Sequence, residues 1–366
     1  MSFGARVEIR LDALKHNFEV LQGTVPGSRV MVAVKANAYG HGLVTVSRAL
    51  AHHADAFAVA RLSEALRLRE AGIEKTIVLL AGVTNRDELA LAVTHCCALV
   101  IHSEYQVALL EATKTVPVYV WLKIDTGMNR LGVAVEDANG LISRLRQIGC
   151  DRNLGLMTHF ANADDVSDPT SKQQLQRFLE LADHFDGDVS VANSAALLGW
   201  QALLNAPGMW HHTGETWIRP GLSLYGVSPL VGKTAADLNL RPVMQFESTL
   251  IAVKPVRQGD RVGYGGHWLA QHDSVLGIVA AGYGDGYSRC LPAATPLLVN
   301  GRRVPLAGVI SMDLCAVDLG PNARDAVGDP VTLWGESLPV EEIAQCAATT
   351  AYPLLCGVTD REGRLS

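Results

Sequence analysis

Short apolar runs alternate with amphipathic stretches through roughly the first 230 residues, the pattern of βαβ units feeding a parallel sheet. Eight runs read as strands: Val30–Val34, Ala56–Ala60, Thr76–Ala81, Ala98–Ile101, Val116–Ile124, Leu154–Phe160, Val189–Asn193 and Trp217–Tyr225. Between them, apolar residues recur at helical spacing in Leu62–Ala71, Asp87–Val93, Glu104–Glu111, Gly140–Ile148 and Gln173–His184. Eight strand–helix units of this total length predict an α/β fold, a (β/α)8 TIM barrel over residues 1–234. A doubly wound sheet is the alternative, but no G-x-G-x-x-G follows the first strand. From residue 235 to 366 the texture changes to Val/Ile/Leu runs broken by Gly, Pro and Asp, with one helical pattern at Val340–Ala348. Gln258-Gly259-Asp260-Arg261, Asn300-Gly301 and Gly328-Asp329-Pro330 read as turns between antiparallel strands, so the C-terminal domain is expected to be mostly β.

Barrel enzymes carry their chemistry at the C-terminal ends of the strands. There, Lys35 ends the first run, Lys123 and Asp125 the fifth, His159 the sixth and Asn193-Ser194 the seventh, while Arg219 precedes Pro220-Gly221 in the last. An unpaired buried charge costs several kcal/mol, so polar residues at this many strand ends call for a function. Behind Val30-Met31-Val32-Ala33-Val34, Lys35 is expected to be partly desolvated, which lowers its pKa and frees the amine for Schiff-base chemistry. Position alone equally allows a lysine that snorkels out of the strand end. Ser194 and Gly221-Leu222 fall where barrels often bind phosphate. A reactive amine beside a phosphate pocket suggests pyridoxal 5'-phosphate.

Composition narrows the partners. The 366 residues are 48% hydrophobic and 19% charged, which fits a globular chain of two to three domain equivalents. A net charge of −6 offers no basic field for nucleic acid or anionic lipid, leaving a small molecule as the expected substrate. The N-terminal residues have no apolar stretch resembling a signal peptide and no apolar run reaches about 18 residues, so a cytoplasmic location is expected. Seven cysteines at irregular spacing, with no C-x-x-C, read as reduced thiols rather than metal or redox pairs.

Lys35-Ala36-Asn37-Ala38-Tyr39-Gly40-His41-Gly42 closely resembles the cofactor-lysine motif of alanine racemases, pyridoxal-phosphate enzymes built from a barrel and a β domain. The resemblance continues through Lys123-Ile124-Asp125-Thr126-Gly127-Met128-Asn129-Arg130-Leu131-Gly132, Thr158-His159-Phe160, Asn193-Ser194, Arg219-Pro220-Gly221 and Tyr225-Gly226. In the second half it covers Val262-Gly263-Tyr264-Gly265, Gly282-Tyr283-Gly284-Asp285-Gly286-Tyr287 and Ser311-Met312-Asp313. Two places depart from the family pattern. Val309 stands where many members carry a basic residue, and the tail Thr359-Asp360-Arg361-Glu362-Gly363-Arg364 lacks the usual apolar residue after its first arginine.

The resemblance implies that Lys35 holds the cofactor covalently and acts as the base for D-alanine, with Tyr264 acting on the opposite face for L-alanine. Two groups on opposite sides of a planar carbon suffice for racemisation. A phenol ordinarily titrates near 10, so lowering it by about two units takes roughly 2.7 kcal/mol of favourable interaction, and His159 and Arg219 lie close to this tyrosine in the family pattern. Arg219 is expected on the pyridine nitrogen, where it donates a hydrogen bond without giving up a proton. Arg130 is expected on the cofactor hydroxyl and the substrate carboxylate, oriented by Lys123, a lysine carbamylated in many relatives. Tyr39, Ser194, Gly221, Leu222 and Tyr352 resemble the phosphate group, and Asn193 joins the cofactor residues. Met312, Asp313 and Tyr283 resemble residues that close the substrate entrance across a head-to-tail homodimer.

Other readings stand beside these. The glycine rhythm of Gly282-Tyr283-Gly284-Asp285-Gly286 is by itself a strained hairpin, and His52-His53 and His211-His212 are neighbours that cannot face one metal together. A basic-amino-acid decarboxylase of the same architecture is the alternative function, disfavoured by Tyr264 without a cysteine nucleophile motif in the β domain. A non-catalytic barrel-only cofactor carrier is disfavoured by the second domain itself.

Overall fold

In the computed structural model, which describes residues 4–359, 361 and 364–365, all eight expected apolar runs form strands. They are β1 (Arg29–Ala33), β2 (Ala56–Val59), β3 (Thr76–Leu79), β4 (Cys97–Ile101), β5 (Val120–Asp125), β6 (Leu154–Met157), β7 (Asp188–Asn193) and β8 (Thr216–Arg219). Each pairs in parallel with the next, and Trp217 opposite Arg29 with Ile218 opposite Val30 closes β8 onto β1. Met31, Ala56, Val78, Ala98, Trp121, Met157 and Trp217 fill the barrel interior, while the alternate residues join the larger core beneath the helices. Burial on both faces is why these strands read as unbroken apolar runs.

The strand ends differ from the expectation where the backbone must turn. Trp217–Tyr225 is strand only to Arg219, because Pro220 and Gly221 interrupt it and Leu222–Tyr225 forms a 3-10 turn. The released Pro220 carbonyl instead accepts Ala33 N at 2.9 Å. The pattern at Gly140–Ile148 belongs to a helix over Val135–Leu145 that loosens into a π-helical turn, Arg146–Cys150.

The second half is organised on one long strand, Met244–Val256, paired antiparallel with Ser274–Val279 and Pro330–Trp334. Hairpin Pro296–Val299 and Arg302–Pro305 turns at Asn300-Gly301, and Cys315–Asp318 pairs with Ser274–Val279. One element lies outside the expected 1–234 division: Arg6–Ile9 pairs with Met244–Val256, from Arg6 opposite Glu247 to Ile9 opposite Met244. Alternation in Arg6-Val7-Glu8-Ile9 turns Val7 and Ile9 inward, so the chain's first strand is buried in the second domain's sheet. In return, the late helix Ala351–Gly357 packs against the turn after β1, so closely that a Cβ at Gly40 would lie 2.0 Å from the Leu355 carbonyl oxygen. The seven cysteines are free, and no described helix is long and apolar enough to cross a membrane. The tail departure at Asp360, Glu362 and Gly363 lies outside the described residues.

Candidate active site

Lys35 opens a turn that few sequences tolerate. Ala36, Asn37, Ala38 and Tyr39 follow it with φ of 53°, 56°, 53° and 52°, a run of left-handed residues without glycine. Each costs about 1–2 kcal/mol, and such strain persists only where the surroundings fix it. Glu64 Oε1 accepts Ala36 N at 2.7 Å and Asn37 Oδ1 accepts Leu43 N at 2.9 Å, which hold the turn from both ends. Burial pulls the Lys35 ammonium below its ordinary range and Arg130 adds to the shift, against Glu64 and Cys356. The expected desolvation is therefore present.

Four cations surround the mouth. Lys123, buried at the end of β5, is pulled down to about 8 by burial first and then by Arg219, Arg130 and Lys35, with only Asp125 opposing. Its ammonium has no hydrogen-bond or ion-pair partner among the described residues. Arg219 is buried with no carboxylate partner among the described residues, and burial lowers it to about 10. Its Nη1 donates to Ser190 Oγ at 2.5 Å and its Nη2 to the carbonyls of Thr158 at 2.5 Å and Val191 at 3.3 Å. Nε–H makes no bond among the described residues. Nη2 also reaches His159 Nδ1 at 3.4 Å. His159 is driven well below its ordinary value by burial, then by Arg219, Lys123, Arg130 and Lys35, so it is neutral near pH 7. Because a guanidinium only donates, Nδ1 accepts and the imidazole proton sits on Nε2. Arg130 itself is exposed, on a turn in which Asp125 Oδ1 accepts Gly127 N at 2.9 Å and Asn129 N at 3.1 Å.

Beside this mouth is a polar cradle to which the described residues contribute hydroxyls and amides but no cation. Ser194 Oγ accepts Gly221 N at 2.9 Å and Ser223 N at 3.3 Å, while the buried Ser223 Oγ has no partner among the described residues. A Cβ at Gly221 would stand 2.8 Å from Tyr39 Oη, so glycine keeps the space open. Leu222 is buried in the turn between these amides, and Tyr352 lies against Tyr39 with ring centroids 5.9 Å apart. Asn193 Oδ1 accepts Ala196 N at 3.0 Å, so its side chain caps the following helical turn. Hydroxyls and amides of this kind suit a phosphate. Together with the amine of Lys35 and the unengaged Nε–H of Arg219, they fit pyridoxal phosphate in phosphate, aldehyde and ring nitrogen.

The remaining expected residues form a second cluster, in the C-terminal domain. Tyr264 is 65% exposed, Met312 54% and Tyr283 38%, an apolar patch of the type that marks a protein interface. Arg289 lies over both rings, 5.8 Å from Tyr264 and 5.9 Å from Tyr283, and donates to the Ile310 carbonyl at 3.1 Å. Gly284 N donates to the Met312 carbonyl at 2.8 Å, and Asp313 pairs with Arg361 at 2.7 Å. The sequence reading missed Glu64, Ser190, Gln174 and Arg289, which are ordinary helix, strand and loop residues until the fold brings them to the site. A cavity of about 860 Å³ at the opposite end of the barrel, lined by Arg29, Asp55, Trp121, Asp188 and Trp217 among others, holds none of the expected residues.

Residues 9–229 match the family model for the alanine racemase N-terminal domain and residues 243–365 that for the alanine racemase C-terminal domain. The chain belongs to the alanine racemase family. Alanine racemase of Vibrio parahaemolyticus is 47% identical over 360 residues, covering 98% of this chain and 97% of that protein. Among solved structures, biosynthetic alanine racemase from Pseudomonas aeruginosa superposes with a TM-score of 0.92 at 41% identity, covering 99% of each chain. Alanine racemase from Bartonella henselae, solved with covalently bound pyridoxal phosphate, gives a TM-score of 0.86 at 26% identity over 100% of this chain and 99% of that one. With racemases as its relatives and neighbours, the decarboxylase alternative is not favoured.

Proposed function

We propose that this chain interconverts L-alanine and D-alanine as a pyridoxal-phosphate-dependent homodimer in the cytoplasm, supplying D-alanine for peptidoglycan or feeding L-alanine catabolism. The observation that carries the reading is the division of the chemistry within one chain: a desolvated lysine among cations in the barrel, and an exposed phenol on the other domain. When bound, pyridoxal phosphate supplies the electron sink that makes the α-proton of alanine acidic. Lys35 takes or returns that proton on one face, and Tyr264 of the partner subunit does so on the other. Arg219, through its Nε–H, would hold the ring nitrogen as a donor that gives up no proton, while Tyr39, Ser194, Gly221, Leu222 and Tyr352 would hold the phosphate. His159 presents its Nε2–H as a neutral donor. Arg130 receives the substrate carboxylate, and Met312, Asp313 and Tyr283 of the partner subunit narrow the entrance.

Proton NMR of L-alanine with the protein and cofactor in heavy water, joined to a chiral assay, tests this. Loss of the α-proton signal with D-alanine appearing is the expected result. No exchange, or loss of carboxylate from lysine or arginine instead, would overturn it.

Lys123 adds a separate expectation. An unpaired lysine lowered to about 8 is roughly one-quarter neutral at pH 7.5, so it is open to carbon dioxide in a way an ordinary lysine is not. A carbamate there turns a charge that repels Arg130 into one that orients it. Carbon-13 bicarbonate should give one slowly exchanging carbamate signal, stronger as pH rises from 7 to 9 and missing in Lys123→Ala. A wild-type spectrum without it rejects the modification.

A further inference from the structure

The mouth gathers Lys35, Lys123, Arg130 and Arg219 against little negative charge, and beyond the turns held by Glu64 and Asp125 its geometry is imposed by neutral groups. One buried carboxamide does this for two loops at once. Gln174, on the helix Thr170–Ala182, is 1% exposed, and each end of its amide is engaged. Its Oε1 accepts Ala161 N at 2.9 Å, while Nε2 donates to the His159 carbonyl at 3.2 Å and to Thr126 Oγ1 at 3.4 Å. Thr126 Oγ1 in turn lies 2.8 Å from Thr158 Oγ1, which donates to the Ile124 carbonyl at 3.0 Å, and the Thr158 carbonyl accepts from Arg219. One turn along the same helix, Arg177 Nη1 donates to the Thr126 carbonyl at 3.3 Å. Gln174 thus ties the backbone on both sides of Phe160 to the loop that leads from Lys123 to Arg130.

We infer that Gln174 is a positioning residue for the His159–Arg219 pair, and through it for the proton transfer on the tyrosine side of the substrate. The inference rests on the racemase reading. His159 reaches Arg219 at 3.4 Å, the long limit of a hydrogen bond, so a shift of a few tenths of an ångström in its backbone breaks the contact. Only an amide offers this donor and acceptor together: an ionised glutamate accepts from Ala161 N but cannot donate to the His159 carbonyl or Thr126. A glutamate also places a carboxylate near His159 and Arg219, which favours the imidazolium that burial and four cations suppress.

The experiment uses the cofactor-loaded holoenzyme. Gln174→Leu is the direct variant and Gln174→Glu keeps the shape. In folded Gln174→Glu, α-proton exchange from L-alanine at pH 8 should fall about tenfold or more while exchange from D-alanine falls less than threefold. The acidic limb of its pH–rate profile should move upward. A folded variant with wild-type exchange from both enantiomers and an unmoved pH profile overturns the inference, as does an equal loss from both. Failure of both variants to fold, read by circular dichroism, also overturns it by making Gln174 a folding residue. A wild-type protein that exchanges no α-proton of alanine instead fails the racemase reading itself, so the two failures are distinguishable.

Discussion

Lys35→Ala is expected to lose the visible absorption of the cofactor-bound protein together with racemisation in both directions, by at least about 10⁴-fold. Two roles end with one amine. In the proposed mechanism the covalent hold on the cofactor goes, and with it the base on the D-alanine face, which alone is worth about 10²–10⁴ in rate. The fold should survive the change. Lys35 has no hydrogen-bond or ion-pair partner among the described residues, and the turn that follows it is held by Glu64, Asn37 and the packing of Gly40 on Leu355 rather than by its side chain. Removing a desolvated cation from beside Arg130 and Lys123 relieves repulsion. With no cofactor bound to either protein, the variant should therefore be at least as stable as the wild type below the depressed pKa of Lys35, with the gain fading as pH rises through it. Retained racemisation with alanine at 35 would remove the lysine from the chemistry. Heat-induced unfolding of the cofactor-free variant at pH 6 well below that of the cofactor-free wild type would contradict the electrostatic account of the mouth.

Physical locality divides what was legible in the sequence from what was not. The barrel strands were visible because burial on both faces makes each a continuous apolar run, and Lys35, Lys123, His159 and Arg219 stood out because they interrupt such runs. The error at Trp217–Tyr225 came from reading past Pro220, where the backbone leaves the sheet. Arg6–Ile9 was invisible as part of the second domain, since its partner strand lies some 240 residues away and four alternating residues carry little signal. Glu64, Ser190 and Gln174 act through hydrogen bonds to residues distant in the chain and look locally like ordinary helix and strand residues. Asn193 was expected on the cofactor from its motif, and its side chain is found capping a helical turn. The family motif supplied what locality could not, the expectation that Lys35 works with a tyrosine some 230 residues along the chain.

Tyr264→Phe should separate the two faces of the reaction. The variant loses one oxygen from a ring that is 65% exposed in the single chain, so the stability of the chain's own fold should change by no more than about 0.5 kcal/mol. Exchange of the α-proton from L-alanine should drop by about 10²-fold or more, while exchange from D-alanine, which needs only Lys35, should remain within a few-fold of the wild type. Racemisation must fall equally in both directions whichever base is lost. The two enantiomers are equal in free energy, so kcat/KM cannot differ between directions, and only solvent exchange reports the faces separately. Mixing then locates the tyrosine. Lys35→Ala and Tyr264→Phe chains are each inactive as homodimers, but a mixed dimer places the intact Lys35 of one subunit opposite the intact Tyr264 of the other, giving one good site and one doubly defective site. Random exchange of subunits should therefore restore about one-quarter of the wild-type racemisation. No recovery, with mixed dimers demonstrated by mass spectrometry, would mean that Lys35 and Tyr264 act within one chain and that the exposed patch around Tyr264 and Met312 has another use.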